Sequence, residues 1–192
     1  MRIVGGKLKG RAIKTPEGKT TRPTSDRARE SIFNVLAHAQ WAPPLEGARV
    51  IDAFAGSGAL GFEAISRGAA FCLFVETESS ARGCIRDNVE TFQLFGITRI
   101  HRRSAVDLGP KPAGVGALFN LVFMDPPYAY NLVPSALVQL ERGQWITPDA
   151  LVVAETGEDE PAPEAPGWNV LDSRIYGAAR VTFFRREPSV EA

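Results

Sequence analysis

Cysteine and histidine are scarce in this 192-residue chain, at two each. Cys72 and Cys84 are too few for a disulfide framework. They read as buried free thiols in a reducing compartment, one in an apolar run and one in a helix. His38 and His101 have no ligand-like spacing to either cysteine, so no metal centre is expected. Long apolar runs are missing too. No stretch approaches the ~20 apolar residues of a membrane span, and the N-terminus has no signal-peptide core. The expected compartment is the cytoplasm. Internal repeats and long low-complexity tracts are absent. Net charge is also absent, since 22 basic residues balance 22 acidic ones, and composition alone names no partner.

Charge placement is more informative than its sum. Residues 1–29 carry Arg2, Lys7, Lys9, Arg11, Lys14, Lys19, Arg22, Arg27 and Arg29 against only Glu17 and Asp26, a net +7 that the other 163 residues cancel. Such asymmetry suggests a basic arm for an anionic polymer. Apolar residues make up 44% of the chain, enough for one good core in one domain with an appendage. Residues 2–4 and 11–14 read as short strands around a glycine-containing turn. Thr24 or Ser25 caps a helix to about residue 39, with Ala28, Ile32, Val35, Leu36 and Ala39 at helical spacing.

Strand and helix signals then alternate. Strands are expected at 49–54, 71–76, 100–103, 121–125 and 150–155, with helices at 60–67, 79–95 and 132–142. Alternation of this kind gives an α/β fold with a mostly parallel sheet and helices on both faces. Residues 156–167 are acidic and proline-rich and read as a loop. Residues 168–176 and 180–186 close the sheet as a hairpin around Gly177, for seven strands in all.

Two segments carry chemistry. Asp125-Pro126-Pro127-Tyr128 follows the apolar run Leu121-Val122-Phe123-Met124. Neither proline has an N–H to donate, so the strand stops there. A carboxylate, a carbonyl-bearing corner and a ring are left at its C-terminal end, where open α/β sheets bind ligands. The carboxylate and carbonyl can accept from an amine, and the ring can stack on a base. The second segment, Asp52-Ala53-Phe54-Ala55-Gly56-Ser57-Gly58-Ala59-Leu60-Gly61, leaves a strand and opens a helix. Its G-x-G-x-x-G pattern alone also suits a dinucleotide. Asp52 favours S-adenosylmethionine, because a carboxylate there attracts an ammonium and repels a pyrophosphate. Glu76, ending the next strand, suits ribose hydroxyls of either cofactor.

Together these residues resemble class I S-adenosylmethionine-dependent methyltransferases, and in particular the bacterial family that methylates the N2 amine of a guanine in 16S ribosomal RNA. Gly5-Gly6-Lys7-Leu8-Lys9-Gly10-Arg11 resembles that family's N-terminal hairpin. Arg22-Pro23-Thr24-Ser25-Asp26-Arg27-Ala28-Arg29-Glu30, with Phe33-Asn34, resembles its distinctive motif, and Arg174-Ile175-Tyr176-Gly177 its C-terminal turn. The resemblance implies a Rossmann-like methyltransferase domain over 22–192 and a basic RNA-binding hairpin and loop over 1–21. It implies S-adenosylmethionine as cofactor, held by Asp52, Phe54, Gly56, Gly58, Glu76, Thr77, Ser104, Ala105 and Thr24. Ser104 stands where related enzymes often have an acid or amide near the adenine. Asp125, Pro126, Pro127 and Tyr128 are the implied catalytic residues, and Lys7, Lys9, Arg11, Arg22 and Arg27 the implied RNA contacts. The implied partner is 16S rRNA or the assembling small subunit, met by a monomer. Adenine N6 or another amine, an NAD-dependent oxidoreduction, and a binding module without catalysis are the rival readings.

Overall fold

The computed structural model describes residues 1–17 and 25–187. Lys19, Arg22, Pro23 and Thr24 lie outside the described residues. Helix α1, Asp26–His38, starts where Ser25 Oγ accepts a hydrogen bond from Ala28 N at 3.1 Å, and Asp26 sits in its positive first turn. Its buried stripe is Ile32, Phe33, Val35 and Leu36. The central sheet then builds from β1 (Arg49–Asp52), α2 (Ala59–Ser66), β2 (Phe71–Val75), α3 (Ser79–Phe92), β3 (Thr98–His101), β4 (Phe119–Met124), α4 (Leu132–Arg142), β5 (Ile146–Gly157), β6 (Trp168–Tyr176) and β7 (Ala179–Arg186).

The strand order is β3-β2-β1-β4-β5-β7-β6. The first five run parallel, whereas β7 is antiparallel to β5 and β6 to β7. The sheet is therefore mixed: five of its strands are parallel, and the expected C-terminal hairpin supplies the two that make it mostly rather than wholly so. The cause is local: a tight return at Gly177, with φ of 63°, can join only antiparallel neighbours. Helices cover both faces. α1, α2 and α3 share one core with Phe74, Phe123 and Phe183, and α4 packs in the other with Val122, Val152 and Trp145. Interior strands buried on both faces explain why β4 and β5 read as continuous apolar runs. Phe33 meets Phe123 with ring centroids 5.4 Å apart, pinning α1 over β4.

The N-terminal segment forms the expected hairpin in reduced form: Ile3 N donates to Arg11 O at 3.0 Å, Ile13 N to Met1 O at 3.0 Å and Gly10 N to Ile3 O at 2.8 Å. A single bridge joins Arg2 to Ala12, and one 3₁₀ turn, Gly6–Leu8, fills the bend. Its backbone also bonds to side chains of the helices. Val4 N donates to Glu63 Oε2 at 2.9 Å, Leu8 N to Ser66 Oγ at 2.9 Å, and Lys14 N to Asn88 Oδ1 at 2.8 Å. Ile3 and Ile13 are buried in the core beneath α1 to α3.

Candidate active site

The strand order reverses between β1 and β4, which pair directly, Asp52 opposite Phe123. Loops leaving these two strand ends diverge to opposite faces, and the crevice between them is the standard ligand position of such sheets. The sequence puts the glycine loop on one strand end and the tetrapeptide on the other. Ala53 N donates to Phe123 O at 2.8 Å, so the two loops begin as hydrogen-bonded neighbours.

Two carboxylates hold the glycine loop. Glu76, just past β2, accepts from Gly56 N at 2.8 Å and, through its other oxygen, from Glu78 N at 2.7 Å. Each oxygen keeps a lone pair beyond these backbone bonds. Asp52, 1% exposed, accepts from Gly61 N at 3.0 Å in the first turn of α2. Burial raises its carboxyl to about 7, the Gly61 N–H opposes that rise, and the Glu76 charge adds to it. Gly61 must be glycine, because a Cβ there would lie 2.4 Å from Phe74 and 2.6 Å from the Cys72 sulfur. Gly56 is different. Its φ is 54°, and a Cβ there would meet nothing within 4 Å, so its backbone borders open space. A buried carboxylate beside an open glycine backbone fits the ammonium end of S-adenosylmethionine, and Glu76 fits its ribose.

The remaining predicted cofactor residues line the same end of the sheet. Phe54 is half-buried against the α4-side core. Thr77 is exposed, with its carbonyl accepting from the Arg82 guanidinium. Ser104 is half-buried past β3 and its Oγ accepts from Val106 N at 3.3 Å, which leaves its hydroxyl proton to donate. Ala105 is buried in the α4-side core.

At the tetrapeptide, β4 ends at Met124 and Asp125 follows half-buried. Pro126 is buried and Pro127 exposed. The Tyr128 hydroxyl donates to Glu155 Oε1 at 2.9 Å, a carboxylate only 5% exposed near the end of β5. This bond fixes the ring beside the corner. A cavity of about 530 Å³ opens on the α4 side, lined by Pro126, Pro127, Tyr128, Thr156, Glu160 and Pro163 among others. Glu155, Thr156 and Glu160 are absent from the sequence-predicted site. The signal was present: Glu155-Thr156 follow an apolar run, 150–154, much as Asp125 follows 121–124, and the two runs are register partners.

The basic residues divide. Lys7, Lys9 and Arg27 are exposed. Arg11 is exposed too, yet its guanidinium donates to Thr91 O at 2.8 Å and lies 5.2 Å from the Phe92 ring centroid. Arg29, which belongs to the sequence-predicted arginine-rich stretch, is 0% exposed. It donates to Arg2 O at 2.5 Å and to Asp26 Oδ1 at 2.6 Å, a structural tie rather than a surface charge. Lys7 and Lys9 flank the end of α2 distant from the glycine loop.

Known proteins share this fold over nearly the whole chain. The family model described as "Conserved hypothetical protein 95" matches residues 1–185. "Putative rRNA methyltransferase YlbH" of Bacillus subtilis is 34% identical over 97% of this chain and 99% of its own length. "Ribosomal RNA small subunit methyltransferase D" of Escherichia coli K12 is 33% identical over 100% of this chain and 93% of its own. The solved structure "Putative methyltransferase yhhF" from Escherichia coli superposes with a TM-score of 0.80 at 29% identity, covering 98% of this chain and 99% of that one. The chain belongs to this family, which includes the small-subunit ribosomal RNA methyltransferases D and is a class I S-adenosylmethionine-dependent methyltransferase family.

Proposed function

We propose that the protein transfers a methyl group from S-adenosylmethionine to the exocyclic N2 amine of a guanine in small-subunit (16S) ribosomal RNA. The observation that carries the reading is the pairing of β1 with β4, which sets the glycine loop and Asp125-Pro126-Pro127-Tyr128 side by side. The relatives named as rRNA methyltransferases supply the class of nucleic acid. Asp52, Phe54, Gly56, Gly58, Glu76, Thr77, Ser104 and Ala105 hold the cofactor, which contributes an electrophilic methyl on a sulfonium.

Guanine N2 is a weak nucleophile because its lone pair is delocalised into the ring. Asp125 and the Pro126 carbonyl accept its two N–H bonds, which localises the lone pair on nitrogen. Tyr128 stacks on the base, and Pro127 keeps the corner rigid. Orientation of this kind lowers barriers by roughly 7–11 kcal/mol in favourable systems. With the methyl supplied by bound S-adenosylmethionine, N2 would become acidic on methylation, and Asp125 or water would take its proton. The base must be extruded from its stack or presented in a loop. Lys7, Lys9 and Arg27 grip flanking phosphate, which positions RNA without reading sequence. The compartment is the one that holds assembling ribosomes, the cytoplasm.

The test is incubation of the purified protein with labelled S-adenosylmethionine and small subunits lacking their native methylation. Mass spectrometry of the digested RNA should reveal one 2-methylguanosine. Label on adenine N6, on cytosine N4 or on ribosomal protein would replace the guanine reading.

A further inference from the structure

The cavity beside the tetrapeptide holds polar groups that gripping an amine does not use. Thr156 is 6% exposed, and its hydroxyl has no hydrogen-bond partner among the described residues. A buried hydroxyl left unpaired costs stability and calls for an explanation. Thr156 lines the cavity. It stands two residues beyond Ala154, as Pro126 stands two beyond its register partner Met124. Met124 and Ala154 are register partners on adjacent strands, so Thr156 lies on the strand beside the one that leads into the tetrapeptide. Across the opening, Glu160 Oε1 accepts from Ala129 N at 2.8 Å. That bond ties the loop after β5 to the residue following the tetrapeptide and orients the carboxylate. Pro127, Tyr128 and Pro163 give the cavity flat walls that suit a planar ring.

We infer that this cavity is the socket for the extruded base, and that Thr156 and Glu160 select guanine in it. The Thr156 hydroxyl donates to O6, and the free oxygen of Glu160 accepts from N1–H. This rests on the guanine-amine reading and adds the groups that choose the base. Guanine presents, in order along one edge, the N2 amine, the N1–H donor and the O6 acceptor. Adenine and cytosine present a ring lone pair where guanine has N1–H, and a carboxylate repels it. Uracil has a ring N–H but no amine for Asp125. A carboxylate here repels the phosphate backbone, so the Glu160 oxygen not bonded to Ala129 N is suited to a donor on the base.

The test uses small subunits assembled with either guanine or 2,6-diaminopurine at the methylated position. Diaminopurine keeps the 2-amine but carries a lone pair at N1 and an amine at C6. Wild type should prefer guanine by about a hundredfold in kcat/KM, because a polar site rejects a mismatched edge strongly. In Glu160→Gln the amide oxygen still accepts from Ala129 N while its NH₂ faces N1, so that preference should shrink by at least about tenfold. Thr156→Val keeps the shape and should lower kcat/KM on guanine by about tenfold. Both variants should bind S-adenosylmethionine like wild type in calorimetry. An unchanged preference in Glu160→Gln, whatever its overall rate, overturns the socket. So does wild-type activity in Thr156→Val. Absence of 2-methylguanosine with wild type overturns the guanine reading itself, so the wild-type arm separates the two failures.

Discussion

Two carboxylates one strand apart do opposite work, and their surroundings separate them. Asp125 stands half-buried at the crevice, where it can meet a substrate amine. Replacing it with Ala removes one acceptor and the destination of the proton. Methyl transfer to rRNA should fall about a hundredfold or more, as when a preorganised polar group is removed from other active sites, with cofactor affinity unchanged. A variant within tenfold of wild type would remove Asp125 from the mechanism. Asp52 is enclosed, and its carboxyl is raised from 3.8 to about 7. The folded protein therefore holds a proton that the unfolded chain releases at lower pH. That contribution to stability is complete below about pH 3.8 and is lost as pH rises through about 7. Between pH 5 and pH 8 it amounts to about 3 kcal/mol, read as a falling urea midpoint that Asp52→Asn should flatten. An ammonium beside Asp52 favours its charged form. Cofactor affinity should thus rise over the window in which stability falls, and binding near pH 6 should release a proton to the buffer.

At the scale of elements, the N-terminal segment shows where reading from sequence stops. Every helix and strand of the main sheet was legible from periodicity and from glycine and proline punctuation, within a few residues. β3 begins at Thr98 rather than 100, and β5 begins at Ile146 rather than 150. The glycine loop and the tetrapeptide were legible because each needs residue types that few other structures need. The attachment of the segment before α1 was not, since beyond its own hairpin bonds its partners are side chains of distant helices. Asn88, 2% exposed on α3, accepts from Lys14 N and donates to Lys14 O at 3.0 Å, with a further bond from Nδ2 to Ser57 O at 3.4 Å. One amide thus ties the basic segment to the glycine loop. Nothing in a lone Asn within a helix announces that role. The socket was missed for a related reason: Glu160 acquires meaning only when the loop after β5 folds back to Ala129. Asn88→Ala strips both Lys14 backbone groups of their partner and should cost about 2 kcal/mol. Hydrogen exchange should quicken across residues 1–14 while β4 and β5 stay protected. Uniform quickening over the whole chain would mean that Asn88 supports the fold rather than this junction.

On the whole molecule, zero net charge conceals a division that folding rearranges further. Arg29 is internal and Arg11 is stacked on Phe92 and bonded to Thr91 O, so the arm's +7 is not all displayed. Lys7 and Lys9 remain exposed, near the far end of α2 from the glycine loop. Eight residues of helix span about 12 Å, or between three and four nucleotide rises along a strand of about 3.4 Å each. They are therefore placed for phosphates several nucleotides from the methylated base, and not for the base itself. The charged residues that line the cavity, Glu160 and Glu164, are both acidic and disfavour phosphate there. A polyanion approaching this surface is attracted along the α2 side and repelled at the loop after β5, which orients it before any base is engaged. Removing both lysines should weaken RNA binding about equally for all sequences. It should also reduce the slope of log affinity against log salt by about 0.7–0.9 for each phosphate no longer neutralised. Arg11→Ala should change that slope less and lower the melting temperature instead, because its bond to Thr91 O and its stacking on Phe92 fasten the segment to α3. Titrating the wild type, the double lysine variant and the arginine variant with small-subunit RNA at several salt concentrations separates these roles. A slope unchanged in the lysine variant would assign Lys7 and Lys9 to solvation and move the phosphate grip to Arg27 and its neighbours.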